Sequence, residues 1–285
     1  MLKSPRFIVR GLRRSITQRG LLNTIHNVWR KITRKRSNAG LTARDENAAE
    51  PHAPQRHPFD EEFGVETSGE VSWRELDTGH AHDLYTVNYY GVAPSLFHEA
   101  MKRWQSQGEK SSLSEYTFID LGSGKGRPVL LAAELPFKAC IGVELNSGLS
   151  EVSRSNMELW KAANKARSPM TAICQDVTEF GFPTTPCLIF LFNPFTAQVL
   201  KKVIRNIATA FANRPGELDV IYINSEFSSV FAERLGFELL WEEQISMSSE
   251  DAAFDLAHQL ASAGEFYGPV GTELCSSWRW RGVPR

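Results

Sequence analysis

The run Phe118-Ile119-Asp120-Leu121-Gly122-Ser123-Gly124-Lys125-Gly126-Arg127 sets an acid ahead of three glycines at alternate positions. It closes an apolar, strand-like stretch and opens a helical one, the context in which a glycine motif carries meaning. Glycine lets the backbone turn sharply and lets a ligand lie against it at the carboxyl edge of a sheet, where open α/β folds bind ligands. Gly122, Ser123, Gly124 and Gly126 are therefore the candidate cradle. The spacing is GxGxG, one residue tighter than the GxGxxG of dinucleotide loops. Asp120 repels a pyrophosphate and attracts a ligand bearing ammonium or sulfonium charge. A Walker loop is excluded, because Gly126 follows Gly124-Lys125 where Ser or Thr is needed. The loop favours a cationic nucleoside over NAD or ATP.

A second strand candidate ends in Gly142-Val143-Glu144-Leu145-Asn146. A carboxylate at that tip is placed to accept both hydroxyls of a ribose held by the first loop. The third is followed by Gln175-Asp176-Val177, which puts Asp176 where an adenine amino group is read. Each acid alone reads equally as a solvated strand end. Three on consecutive tips behind one glycine loop read as a site.

The elements that must hold these tips alternate. Strand patterns cover Tyr116–Leu121, Ala139–Leu145, Met170–Cys174, Cys187–Phe192 and Asp219–Ile223, with helical patterns at Arg127–Leu135, Leu149–Ala166 and Thr196–Ala212. Such alternation predicts a mostly parallel sheet covered by helices on both faces. Pro94 opens a further helix with Leu96, Phe97, Ala100, Met101 and Trp104 on one side. A helix from Ser228 ends near Gly236. Trp241–Met247 and Leu274–Arg281 read as two late strands flanking an excursion.

Phe118–Arg127 resembles motif I of the class I S-adenosylmethionine methyltransferases, Gly142–Asn146 the acidic motif that follows it, and Asp176 the adenine-reading position. Segment 59–69, the Tyr89-Tyr90-Gly91 triplet and the later Phe-Asn-Pro-Phe are similar to a group of bacterial members. The glycine segment also resembles the Dot1-type lysine methyltransferases. The resemblance covers about Tyr116 to Arg281. It implies an α/β, Rossmann-like, doubly wound seven-stranded sheet with the last strand antiparallel beside the fifth, and S-adenosyl-L-methionine as cofactor. Asp120, Gly122, Ser123, Gly124, Gly126, Glu144 and Asp176 would contact it.

In such a fold the fourth strand tip faces the transferable methyl group. Here it reads Phe192-Asn193-Pro194-Phe195, similar to the Asn/Asp-Pro-Pro-aromatic motif of amine-directed methyltransferases but with a single proline. The resemblance gives Asn193 the role of accepting hydrogen bonds from the target amine, with Pro194 and Phe195 beside it. The bland reading is a strand-ending Asn-Pro turn with Phe195 in the core. Trp73, Tyr85, Tyr89 and Tyr90 lie upstream, where they would line an acceptor pocket or face a sulfonium. The acceptor, a small molecule or a protein amine, is not specified by these residues. A non-catalytic binding module and an aminopropyltransferase-like enzyme are the alternatives; the second would want an acidic fourth strand tip.

Charge divides the chain. Residues 1–44 hold twelve of the 32 Lys and Arg and no acid, so the other 20 face all 33 acids, a balance of -13. Leu21, Leu22, Ile25, Val28, Trp29 and Ile32 make one face of a basic amphipathic helix, suited to an anionic surface or to the acidic body itself. The expected organisation is a basic arm 1–44, a linker 45–57, an N-terminal helical cap 58–113 and a cofactor-binding domain 114–285. No apolar run is long enough to span a membrane. The four cysteines form no CxxC pair, so no metal site is expected, and they suit a reducing compartment: the cytoplasm, or the mitochondrion in a eukaryotic host.

Overall fold

A computed structural model describes residues 56–71, 88–107, 112–261 and 271–283, with side chains from 259 to 261 excepted. The arm, nearly all of the linker, Trp73 and Tyr85 lie outside the described residues.

Five parallel strands form in chain order: β1 (Thr117–Leu121), β2 (Ala139–Glu144), β3 (Met170–Cys174), β4 (Cys187–Phe192) and β5 (Leu218–Ile223). Then β6 (Phe237–Ser246) and β7 (Thr272–Trp280) complete a seven-stranded sheet of order β3-β2-β1-β4-β5-β7-β6. β7 runs antiparallel to both β5 and β6, as expected from the resemblance. The order reverses between β1 and β4, and a crevice opens at such a switch point because the flanking helices leave on opposite faces.

The helices are α1 (Pro58–Phe63), α2 (Pro94–Gln105), α3 (Arg127–Ala133), α4 (Ser147–Ala162), α5 (Ala197–Ala210), α6 (Ser229–Ala232) and α7 (Ser249–Ala261). Strand side chains alternate between faces. Phe118 of β1 packs with Phe97, Trp104, Leu130 and Trp160, whereas Ile119 and Leu121 pack with Leu200, Val203, Ile207 and Phe211 of the α5 side. Both faces are covered, which is why β1, β4 and β5 read as nearly unbroken apolar runs.

Two local differences from the sequence reading have physical causes. The excursion between the late strands is α7. Ser248 Oγ accepts the Asp251 N–H at 3.1 Å, and Glu250 and Asp251 sit in the first turn, where acids complement the helix dipole. The helix after Ser228 is only one turn, because β6 begins at Phe237 directly after Gly236, whose φ of 104° reverses the chain. Among the described residues no helix is long and apolar enough to cross a membrane.

Candidate functional site

The glycine loop joins β1 to α3, and its three glycines all have positive φ: 81° at Gly122, 52° at Gly124 and 87° at Gly126. A side chain there is strained, and it would also meet protein. A Cβ on Gly122 overlaps the Pro194 ring, one on Gly124 overlaps the Tyr89 ring, and one on Gly126 overlaps Ser153 Oγ. The loop is squeezed between the β4 tip, the upstream cap and α4. Its amides tie it to β2: Gly122 and Ser123 N–H donate to Val143 O at 2.8 and 3.1 Å.

Beside the loop lies a cleft with about 890 Å³ of empty space between its walls, open mouth included. Asp120, Gly122, Ser123, Gly124, Glu144, Asp176, Pro194 and Phe195 all line it. The sequence-predicted cofactor residues therefore converge, with one exception. Gly126 is absent from the wall and instead takes the left-handed N-cap position of α3 against Ser153.

The three acids differ. Glu144 Oε2 accepts the Gly124 N–H and Oε1 the Asn146 N–H, each at 2.8 Å. Burial raises its carboxyl above the usual range, and these backbone N–H groups pull it back. Asp176 Oδ1 accepts the Thr178 N–H at 2.7 Å. Asp120 is 2% exposed, and its Oδ2 meets no hydrogen-bond donor among the described residues. Burial first, and the Glu144 charge second, push its carboxyl well above the ordinary range. An orphaned buried oxygen in a cleft wall is a place where a ligand's positive group fits.

Lys125 and Arg127 are basic residues on a glycine loop; Lys125 turns away from the cleft, and Arg127 lines it but directs its hydrogen bonds to the upstream segment. Lys125 Nζ bonds Glu66 Oε1 and Ser68 O, each at 2.9 Å. Arg127, itself 2% exposed, donates to Thr67 Oγ1 at 2.6 Å, Val92 O at 3.0 Å and Ser68 Oγ at 3.2 Å. Asp60 accepts from Thr67 N and Ser68 N at 2.6 and 2.7 Å and from the Thr67 hydroxyl. The upstream segment 59–69 is thus a clasp pinned to the loop. Tyr89 closes over Gly124 from the same side, donating to Thr67 O at 2.7 Å.

At the β4 tip, Phe192, Pro194 and Phe195 reach the cleft but Asn193 does not. Asn193 has φ 40°, and its side-chain oxygen accepts from Tyr222 OH at 3.0 Å while its amide nitrogen reaches Glu226 Oε2 at 3.3 Å. The structure therefore places it as the pivot of the turn that presents its neighbours.

A second, smaller cavity adjoins the first, sharing Tyr90, Gly91, Arg127 and Phe192 with it. Its far wall carries His57, Asp251, Asp255 and Glu273. His57 Nδ1 accepts the Phe59 N–H and caps α1, and its Nε2 lies 3.1 Å from Asp251. Burial alone would raise Asp251, but bonds from His57 and Ser95 outweigh it and hold its carboxyl at about 2. Glu273 is different: burial, then the Asp255 charge, push it up to about 8. Tyr90 stands at the junction, its hydroxyl 3.4 Å from Asp255 and its ring stacked on His258 at 4.7 Å. Sequence reasoning named Tyr90 but missed His57, Asp251, Asp255 and Glu273. The one legible signal was Ser248-x-x-Asp251, a helix start hidden in the excursion. Among the described residues no group of His, Cys, Asp and Glu is arranged to hold a metal ion.

The family model described as histone methylation protein DOT1 matches residues 85–167, the stretch that carries Tyr89, the glycine loop and Glu144. No curated protein matches. Solved structures similar to the chain include the [4+2]-cyclase SpnF, at 16% identity and TM-score 0.44, covering 67% of this chain and 81% of that one. They also include the tRNA m1G37 methyltransferase of M. jannaschii (15%, TM-score 0.42, 68% and 51%) and TrmN from Thermus thermophilus (13%, TM-score 0.44, 66% and 49%). The chain spans about half the length of the latter two. The resemblance to class I methyltransferases, and to the Dot1 type in the glycine segment, holds in the family match and in the strand order.

Proposed function

We propose that this chain is an S-adenosylmethionine-dependent methyltransferase acting on a nitrogen acceptor. The observation that carries the cofactor is the convergence of Asp120, Glu144 and Asp176, from three consecutive strand tips, on one cleft beside the glycine loop. Glu144 and Asp176 keep acceptor capacity on oxygens already oriented by backbone N–H groups, which suits ribose hydroxyls and an adenine amine. Asp120 faces the positive end of the ligand. When bound, the cofactor supplies a methyl group already activated by its sulfonium.

The protein's part is then positioning and exclusion of water. Tyr89 and the clasp close one side of the cleft, and Pro194 and Phe195 form the edge toward the acceptor. Asn193 contributes through the turn it holds with Tyr222. The second cavity supports an amine acceptor: Asp255 and Glu273 face it from two elements, and a cationic amine there would draw Glu273, kept protonated up to about 8 by burial and the Asp255 charge, toward its ionised form.

Radiolabelled donor incubated with extract fractionated into protein, nucleic acid and small molecules tests this. Label should pass to an amine-bearing fraction, and Asn193→Ala should lower transfer by about tenfold or more while donor affinity stays near that of the parent. Label carried only on oxygen, sulfur or carbon atoms, or parental rates in Asn193→Ala, would contradict the acceptor side of this reading.

A further inference from the structure

Asp120 is the most enclosed acid of the cleft, and the groups around it leave its charge uncompensated. From β2, Glu144 faces it with a like charge, itself 8% exposed and held by two backbone N–H groups. Beyond the β3 tip stands Asp176, a third acid in the same wall. Among the described residues the titratable groups that the cap presents to the cleft are the phenols of Tyr89 and Tyr90, both raised chiefly by burial, beside the amide of Asn88, and β4 presents the apolar Phe192. Two cations lie near, Arg127 in the cleft wall itself, and neither hydrogen-bonds Asp120 among the described residues. Lys125 bonds Glu66 and Ser68, and Arg127 bonds Thr67, Val92 and Ser68 with the Asp60 carboxylate 3.6 Å away.

Two carboxylates sharing a low-dielectric wall are not both charged unless a cation joins them. Glu144 is the one whose ionised form is hydrogen-bonded, so Asp120 is the one that keeps the proton. Its rise above the ordinary carboxylate range has this cause, burial first and Glu144 second.

We infer that Asp120 is the charge-selecting residue of the cleft: it is protonated in the free protein and exchanges that proton for a positive charge of the ligand. The inference rests on the reading of the cleft as an S-adenosylmethionine site and adds to it how the site chooses. In the exchange the carboxylic O–H bond breaks, the proton passes to solvent, and the carboxylate faces the ligand's cation. No other bond changes. A neutral nucleoside does not drive the exchange, so the cleft discriminates by charge as well as by shape.

Calorimetry on the full-length protein reads the released proton directly. Titrations form a series from about pH 6.5 down to about pH 4.5, a range in which an α-amino group of ordinary pKa (about 7.7–8.0) is already protonated. S-adenosylmethionine and the neutral 5′-methylthioadenosine are each titrated in buffers of different ionisation enthalpy. For S-adenosylmethionine the heat should vary with the buffer as release of up to one proton requires, most at the low end of the series, and affinity should rise as pH rises, by up to about tenfold per unit below Asp120's titration. For 5′-methylthioadenosine the heat should be the same in every buffer. Asp120→Asn should abolish the buffer dependence for the charged ligand; if that variant does not fold, the buffer series on the parent still decides. Binding of S-adenosylmethionine with buffer-independent heats overturns the proton exchange and leaves the cofactor reading standing, as do equal buffer dependences for the two ligands. No binding of either ligand overturns the cofactor reading, and the exchange with it.

Discussion

The two cavities that meet at Tyr90 are built in opposite ways. The larger is written locally: an acid and three glycines within seven residues, then one acid at each of the next two strand tips. Two of its acids are oriented by backbone N–H groups, which the loops leaving the strand tips supply. The smaller is assembled from residues as distant as His57 and Glu273, and its groups are held largely by side chains, His57 on Asp251 and Tyr90 on Asp255, with the Ser95 backbone N–H also donating to Asp251. A site held by backbone tolerates change in the rest of the molecule. One held by side chains depends on the docking of α1 and α7. The first arrangement suits a ligand of constant shape, the second one that varies.

The sharpest way to break this contrast is Gly124→Val. The position has φ 52°, and the added side chain meets the Tyr89 ring, so the loop must shift. Binding of S-adenosylhomocysteine, read by calorimetry, should be lost at millimolar ligand while the circular dichroism spectrum stays that of the parent. Retained affinity would place the ligand away from the loop.

Glu144→Ala should have a smaller effect, about 1–3 kcal/mol of cofactor binding, the scale of hydrogen bonds to a charged group. Part of that loss arises through Gly124, whose N–H loses its acceptor. A double variant with Asp176→Ala, measured the same way, should be less than additive if both acids grip one ligand.

How much of this was legible follows from the same contrast. The strands were readable because both faces of the sheet are buried, so β1, β4 and β5 show as apolar runs, whereas the place of the last strand beside the fifth came from the resemblance; Asp120 lies near the end of β1, and Glu144 and Asp176 lie at the tips of β2 and β3. Gly126 was read as ligand-contacting because a glycine's type does not reveal whether ligand or protein fills the space beside it; here Ser153 does. Asn193 was legible as special but not in its role. Its positive φ and its bond from Tyr222 depend on β5, 29 residues away. The second cavity left no spacing to read, since Tyr90, Asp251, Asp255 and Glu273 come from a cap segment, α7 and β7.

An effect on stability rather than on binding separates the two cavities by pH. Glu273 titrates higher folded than unfolded, so the folded state binds the extra proton between about 4.5 and 8 and stability falls as pH rises through that window. Glu273→Gln should flatten that decline in urea melts and leave cofactor affinity unchanged. Asp251 has the opposite sign. Its contribution is present above the unfolded value of about 3.9 and is lost as pH falls toward about 2. A parental pH slope in Glu273→Gln would mean that the carboxyl is not held in the cavity as described.

The central claim is that the cleft beside the glycine loop takes S-adenosylmethionine and its product. The most direct measurement is thermal melting of the full-length protein with S-adenosylhomocysteine, and with NAD in parallel. A ligand that binds only the folded state raises the melting temperature, by about 2.7 kcal/mol of added stability at a hundred times its dissociation constant. The account predicts a rise with S-adenosylhomocysteine and none with NAD; a rise with NAD and none with S-adenosylhomocysteine would contradict it.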